Sequence, residues 1–285
     1  MFSTIFVSVL ALQLKSQQAP PPAKPIPPVT QPSPTKVVAT VNNEPIAASE
    51  VESYLWDWKS QEVVQTLINF KIVDIEAKRL HITITPQEIQ TQIDQALEQT
   101  KRAHPNEPNP WKSLIDQGYP ESRVRLTLKN ILLLNKITEL DFKPNDFVDI
   151  SMIMVKAKGP APEDQTVAMK AAQDYYEQLQ KGTPWSKVLA LTTTEANALK
   201  DDGHLGLRAL SLFPPSASAE LIKLKPGQVT HPVQTQVGLQ IFRLNGFGST
   251  AAPADLERVK QEFIQQHEKD VLTKLRNSAK IVTIN

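Results

Sequence analysis

Few side chains in this sequence are placed to do chemistry, and the most suggestive of them sit in two glycine-punctuated segments. The first is Asp202-Gly203-His204-Leu205-Gly206. The second runs Lys225-Pro226-Gly227-Gln228-Val229-Thr230-His231-Pro232-Val233-Gln234-Thr235-Gln236-Val237-Gly238-Leu239-Gln240-Ile241. Thr235 and Gln240 donate and accept hydrogen bonds but do not titrate near neutrality. The chemistry on offer is therefore polar stabilisation of a bound group rather than nucleophilic attack. Other chemistries are excluded by what is missing. His81, His104, His204, His231 and His267 show no H-x-x-x-H or H-E-x-x-H spacing, so no metal site is expected. There is no G-x-S-x-G elbow, P-loop or dinucleotide fingerprint, and no small-molecule cofactor is expected.

These segments need a frame that holds them together. Residues 147–156 read as a strand, and Asp164 as the cap of a helix carrying Val167, Ala168, Ala171, Tyr175 and Leu179 and ended by Gly182. Trp185 and Leu189 mark a second short helix, residues 216–224 a third, and residues 240–244 a final strand. The order β-α-α-α-β-β predicts a small α+β domain over residues 147–247.

Upstream, Val37-Val38-Ala39-Thr40-Val41 alternates like a strand, and Asn42-Asn43-Glu44-Pro45-Ile46 supplies a turn. Ser49 with Glu52 predicts a capped helix start. A following helix carries Val64, Leu67, Ile68, Ile72 and Ile75. Thr85-Pro86-Gln87-Glu88 repeats the start signal ahead of Ile89, Ile93, Ala96 and Leu97. Asn109-Pro110-Trp111 opens a short helix that Gly118 can end, and another from about Pro120 presents Val124, Leu128, Ile131 and Leu132. After Gly248, Leu256, Val259, Phe263 and Leu275 predict one long helix, and Ala279-Lys280-Ile281-Val282-Thr283-Ile284 a last strand.

Composition narrows the partners. The 31 Lys plus Arg balance 30 Asp plus Glu, for a net charge of +1, without the basic excess of a nucleic-acid binder. The absence of cysteine excludes a disulfide framework, a thiolate metal site, a cysteine nucleophile and a lipid-modified cysteine. Residues 1–18 contain an apolar run over 5–14, too short to span a bilayer at ~20 residues, and read as an atypical export signal. Residues 19–36 are Pro-rich and read as a semi-rigid polyproline II spacer.

The two glycine-punctuated segments resemble the parvulin peptidyl-prolyl isomerase pattern, G-G-D-L-G followed by K-x-G-x-x-S-x-P-V-x-T-x-x-G-x-H-I. The order V-A-x-V-N-x-x-P-I, a helix, L-I-x-x-x-I-x-x-x-E-A-K-R-L and I-T-I-T-P-Q-E-I, over residues 38 to about 140, resembles the N-terminal helical domain of SurA-like and PrsA-like chaperones. The resemblance implies a helical domain over 37–146, completed by a C-terminal helix and strand over 248–285. A parvulin-like (FKBP-like) α+β domain over 147–247 would be inserted into it. It also implies that the helical domain binds unfolded polypeptides. Tyr54, Trp56 and Trp58 are either an exposed patch that meets such clients or are buried against the neighbouring helix.

Carried onto this sequence, the parvulin site is thinned. Its first histidine falls on Met152 and its second on Gln240, its acidic position near Glu195, and its threonine on Thr235. Leu205 and Phe213 keep the apolar floor for a proline ring, while a ring-gripping phenylalanine becomes Ala217. A thioether is a weak acceptor, so Met152 removes both ring nitrogens. Twisting a prolyl amide needs a desolvated cavity and hydrogen bonds that favour the twisted form. The expected protein is an exported folding factor, not a lipoprotein, that binds unfolded or extended polypeptides with weak or absent isomerase activity. An active isomerase with a variant site and a non-catalytic envelope scaffold are the alternatives.

Overall fold

A computed structural model describes residues 31–103, 109–116 and 118–283. The chain packs as two units, Met1–Asp141 with Ile264–Asn285, and Phe142–Phe263. The expected export signal over 1–18 and the spacer residues 19–30 lie outside the described residues.

In the first unit β1 (Val37–Val41) and β2 (Glu44–Ala47) form an antiparallel hairpin with Val41 opposite Glu44. Asn42 and Asn43 both take positive φ, 52° and 71°, as a tight two-residue turn of this kind requires. The next element, α1 (Ala48–Arg79), is one helix of 32 residues and not two. No glycine or proline interrupts it, so nothing stops propagation. Ser49 lies inside it and caps nothing. The Lys36 carbonyl accepts the Ala48 N–H at 2.8 Å and the Pro34 carbonyl accepts the Ser49 N–H at 3.1 Å, so the Ser49 N–H that Glu52 of the predicted box would have served is already satisfied.

The second predicted box is real and opens α2 (Pro86–Ala103). The Thr85 N–H donates to Glu88 Oε2 at 2.7 Å, and the Glu88 N–H donates to Thr85 Oγ1 at 3.2 Å. Lys136 Nζ sits 2.6 Å from Glu88 Oε1. Burial pushes the Glu88 carboxyl up, but Lys136 and the Thr85 donors outweigh it and hold the group below the usual carboxylate range. After α3 (Pro110–Asp116), α4 (Glu121–Glu139) buries Val124, Leu128, Leu133, Leu134 and Ile137. Arg125 on the same helix is also buried, matched by Glu121 at 2.8 Å and Gln90 at 2.7 Å.

The second unit is built on a four-stranded antiparallel sheet of order β4-β3-β6-β5, from β3 (Phe147–Val155), β4 (His204–Ala209), β5 (Val233–Thr235) and β6 (Gly238–Phe247). Between β3 and β4 come α5 (Pro162–Gln180), α6 (Trp185–Thr192) and α7 (Ala196–Lys200), and α8 (Pro215–Leu221) separates β4 from β5. The observed order is β-α-α-α-β-α-β-β. The added strand β4 lies on the Gly203–Gly206 segment, where the glycines mask strand character. At Gly203, φ is +66° and a Cβ would stand 2.6 Å from the Met152 carbonyl oxygen, so only glycine lets β4 approach β3 here. Asp164 is not a cap. Pro162 begins α5 after Ala161, and Asp164 lies in the first turn, where its charge suits the helix dipole.

One face of the sheet, with Ile153, Val155, Leu239 and Ile241, is covered by Ala168 and Ala172 of α5 and by Trp185, Val188 and Leu189 of α6. The other, with Val148, Ile150, Phe242 and Leu244, is covered by Ala217 and Leu221 of α8. The chain ends in α9 (Pro253–Ser278). Leu256, Val259 and Phe263 pack with Phe147 and Leu207 in the second unit. Val271, Leu272 and Leu275 pack on Val73, Ala77, Leu133, Leu134 and Ile137 in the first. No strand forms over the described residues 279–283, contrary to expectation. The alternation there is short, Val282 is exposed, and β1 and β2 pair only with each other. The protein is nonetheless α+β.

Candidate functional site

The α8 face of the sheet is only partly covered, and the gap is a cleft of about 780 Å³. β3 and β6 set its base. Met152 pairs with Phe242, and Gln240, two residues earlier on β6, points to the same face by the period of a strand. Phe213 meets Phe242 edge-on, with ring centroids 5.1 Å apart. With Leu205 these side chains make an apolar floor. The β5–β6 turn forms the opposite wall. Thr235 Oγ1 donates to the Gly238 carbonyl at 2.8 Å and accepts the Val237 N–H at 3.3 Å. Its hydroxyl is therefore committed to closing the turn that holds Gln240 in place.

Of the residues singled out by sequence, the cleft gathers Met152, Leu205, Phe213, Thr235 and Gln240. Glu195 is exposed in a neighbouring groove of about 580 Å³ that shares Met152 with the cleft. Ala217 is fully buried beneath the floor and touches no part of the cleft surface. His204 is not a substitute catalyst for the lost imidazoles, because its Nε2 lies 2.6 Å from Asp149 Oδ1, away from the cleft. Sequence reading missed Phe242 and Arg208. The first was findable, since it follows Gln240 by two on one strand; the second was hidden by an irregularity in β4.

A larger hollow, about 910 Å³, holds none of the expected site residues. Its polar feature is a chain in which Glu220 Oε1 meets His231 Nδ1 at 3.1 Å and His231 Nε2 meets the Tyr176 hydroxyl at 3.1 Å. His231 is open to solvent there, and no desolvated wall surrounds the chain.

In the first unit Tyr54, Trp56 and Trp58 are all exposed, at 50%, 72% and 69%. They do not form one patch. Tyr54 and Trp58, four residues apart, stack with ring centroids at 5.3 Å, whereas Trp56 projects from another side of α1. Val51, Leu55, Val63 and Leu67 are exposed on the same stretch, so uncovered apolar side chains stand on several sides of the helix among its charged residues. Nearby, Val64, Leu67, Ile68, Phe70, Leu126 and Leu133 line an apolar groove of about 580 Å³ between α1 and α4.

Comparison with known proteins agrees with this geometry. Residues 153–246 match the family pattern of the rotamase, a PPIC-type PPIase domain. The foldase protein PrsA of Clostridium perfringens is 25% identical over 270 residues, covering 80% of this chain and 78% of that protein. The chaperone SurA of Legionella pneumophila is 24% identical over 279 residues, covering 84% of this chain and 62% of that protein. The crystal structure of the peptidylprolyl isomerase PrsA from Bacillus cereus superposes with a TM-score of 0.52 at 16% identity, covering 89% of this chain and 95% of that one. The chain thus carries a parvulin domain of the PPIC type and is homologous to the PrsA foldases and SurA chaperones.

Proposed function

We propose that this protein is an extracytoplasmic folding factor that binds unfolded or extended polypeptides and isomerises prolyl bonds weakly or not at all. The observation that carries the reading is the composition of the parvulin cleft. Its floor keeps the apolar groups that grip a proline ring, while among the described residues no imidazole or carboxylate lines it. Gln240 alone offers a neutral donor and acceptor on the base, and Met152 contributes only a weakly accepting thioether. Binding depends on shape and burial and survives such losses. Acceleration depends on interactions stronger in the twisted amide than in the planar one, and these are what the cleft has given up. The uncovered apolar stretch of α1 supports the polypeptide-binding half of the reading, because large exposed apolar surface marks an interaction site.

Two assays on the purified chain test this. It suppresses aggregation of an unfolded envelope protein at near-stoichiometric amounts, and it leaves a proline-limited refolding phase close to its uncatalysed rate. Failure to suppress aggregation overturns the polypeptide-binding reading. Strong acceleration of refolding that disappears in Thr235→Ala and Glu195→Ala would establish an active enzyme with a variant site instead.

A further inference from the structure

We infer that the cleft selects client segments carrying a carboxylate close to the proline or apolar residue held on its floor, and that Arg208 is the residue that reads it. The inference rests on the polypeptide-binding reading above and specifies which polypeptides the cleft prefers. Among the described residues Arg208 is the one charged residue lining the cleft, and no Asp or Glu lines it. It is half-buried, and its one described hydrogen bond is from Nη1 to the neighbouring Leu207 carbonyl at 3.4 Å. Among the described residues no carboxylate pairs with it. A partly desolvated guanidinium without a counter-charge has lost hydration that nothing in the protein replaces, and its planar fork matches a carboxylate in two parallel hydrogen bonds.

The backbone explains how this cation comes to face an apolar floor. In a regular strand Leu205 and Arg208, three residues apart, would point to opposite faces. The register between β3 and β4 slips here: Ile150 pairs with Gly206 and Ser151 with His204, so Leu205 is an extra residue. A bulge of this kind resets the alternation, and both side chains line the cleft. Gly206, at φ +72°, occupies the place between them without a side chain. Along β4 the two residues are separated by about 10 Å, which an extended peptide covers in about three residues. Gln234 and Gln236 on the β5–β6 side line the same cleft with neutral amides, so nothing on that wall offers a competing charge.

The test uses the full chain and fluorescently labelled proline peptides with uncharged ends. Each carries Glu or Gln three residues from the proline, on either side. With the parent protein the tighter-binding Glu peptide is expected to bind about fivefold to tenfold more tightly than its Gln counterpart, the scale of one charge-assisted contact at a half-exposed site. That margin is expected to shrink as salt rises. Arg208→Gln is expected to bring the two peptides level, and Arg208→Glu to favour a Lys peptide over the Glu one. Equal binding of Glu and Gln peptides to the parent overturns the selectivity while leaving polypeptide binding intact, as does a margin that persists in Arg208→Gln. No binding of either peptide, with no suppression of aggregation, overturns polypeptide binding and the selectivity with it. Because the salt-dependent margin is read on the parent protein, the outcome does not depend on a variant folding.

Discussion

The two faces of the sheet in the Phe142–Phe263 unit are built from the same strands and treated very differently. On one, α5 and α6 lay Ala168, Ala172, Val188 and Leu189 over Ile153 and Ile241, and none of these is accessible by more than a trace. On the other, the short α8, Pro-Ser-Ala-Ser-Ala-Glu-Leu, brings mostly small side chains and leaves the cleft open. The closed face holds the architecture, because cavities there are costly. Around Met152 and Gln240 the other face is only half-buried, so exchanging a histidine for a methionine or a glutamine there disturbs little packing, although Val148, Ile150, Phe242 and Leu244 on the same face are buried. The domain can therefore keep its fold while the groups around its cleft change. The cleft and the tighter helix cover thus lie on opposite sides of one sheet.

Substitutions on each side put this contrast at risk. Ile153→Ala, in the closed face, is expected to cost about 2–5 kcal/mol, read as a lower midpoint in urea denaturation followed by Trp185 fluorescence. A loss no larger than that of an open-face substitution would erase the distinction. Ala217→Phe probes the boundary between core and cleft. With Ala217 fully buried, the added ring is expected to overpack the α8 side by about 1–3 kcal/mol. An unchanged midpoint with tighter binding of proline peptides would instead mean that the ring turns outward and rebuilds the missing wall. Thr235→Ala removes the hydroxyl that closes the β5–β6 turn and is expected to cost about 0.5–1.5 kcal/mol. The smallest stability change is expected of the double variant Met152→His with Gln240→His, about 1 kcal/mol or less. The same variant is expected to accelerate proline-limited refolding by about tenfold or more relative to the parent, through the restored polar groups. A double variant that unfolds would show that the open face contributes to stability after all.

Where local chemistry decided an element, the sequence could be read. The Thr85–Glu88 box forms as its residues demand, since both partners are three apart and nothing competes for their donors. The Ser49–Glu52 box fails although its spacing is the same, because the helix begins at Ala48 and the Pro34 carbonyl takes the Ser49 N–H that Glu52 would have accepted. That competition comes from the chain folding back and leaves no mark at positions 49 to 52. Thr235 and Gln240 could be placed together because the motif fixes register across β5 and β6, and Leu205 and Phe213 reach the same cleft from β4 and the segment after it. Arg208 could not, because a bulge shifts parity without changing any residue type. Glu195 and Ala217 each sit near the expected place in sequence, but one lines the adjacent groove and the other lies under the floor. Motif spacing gives neighbourhood and does not give the direction of a side chain.

The return of α9 to the first unit bears on the order in which the protein matures. Val271, Leu272 and Leu275 belong to the same cluster as Val73, Ala77 and Ile137, yet they are made after the whole Phe142–Phe263 unit. A chain emerging from its N-terminus can finish the Phe142–Phe263 sheet from residues already present. The helical unit must wait with part of its core exposed until the end of the chain arrives. The half synthesised first is thus the half completed last.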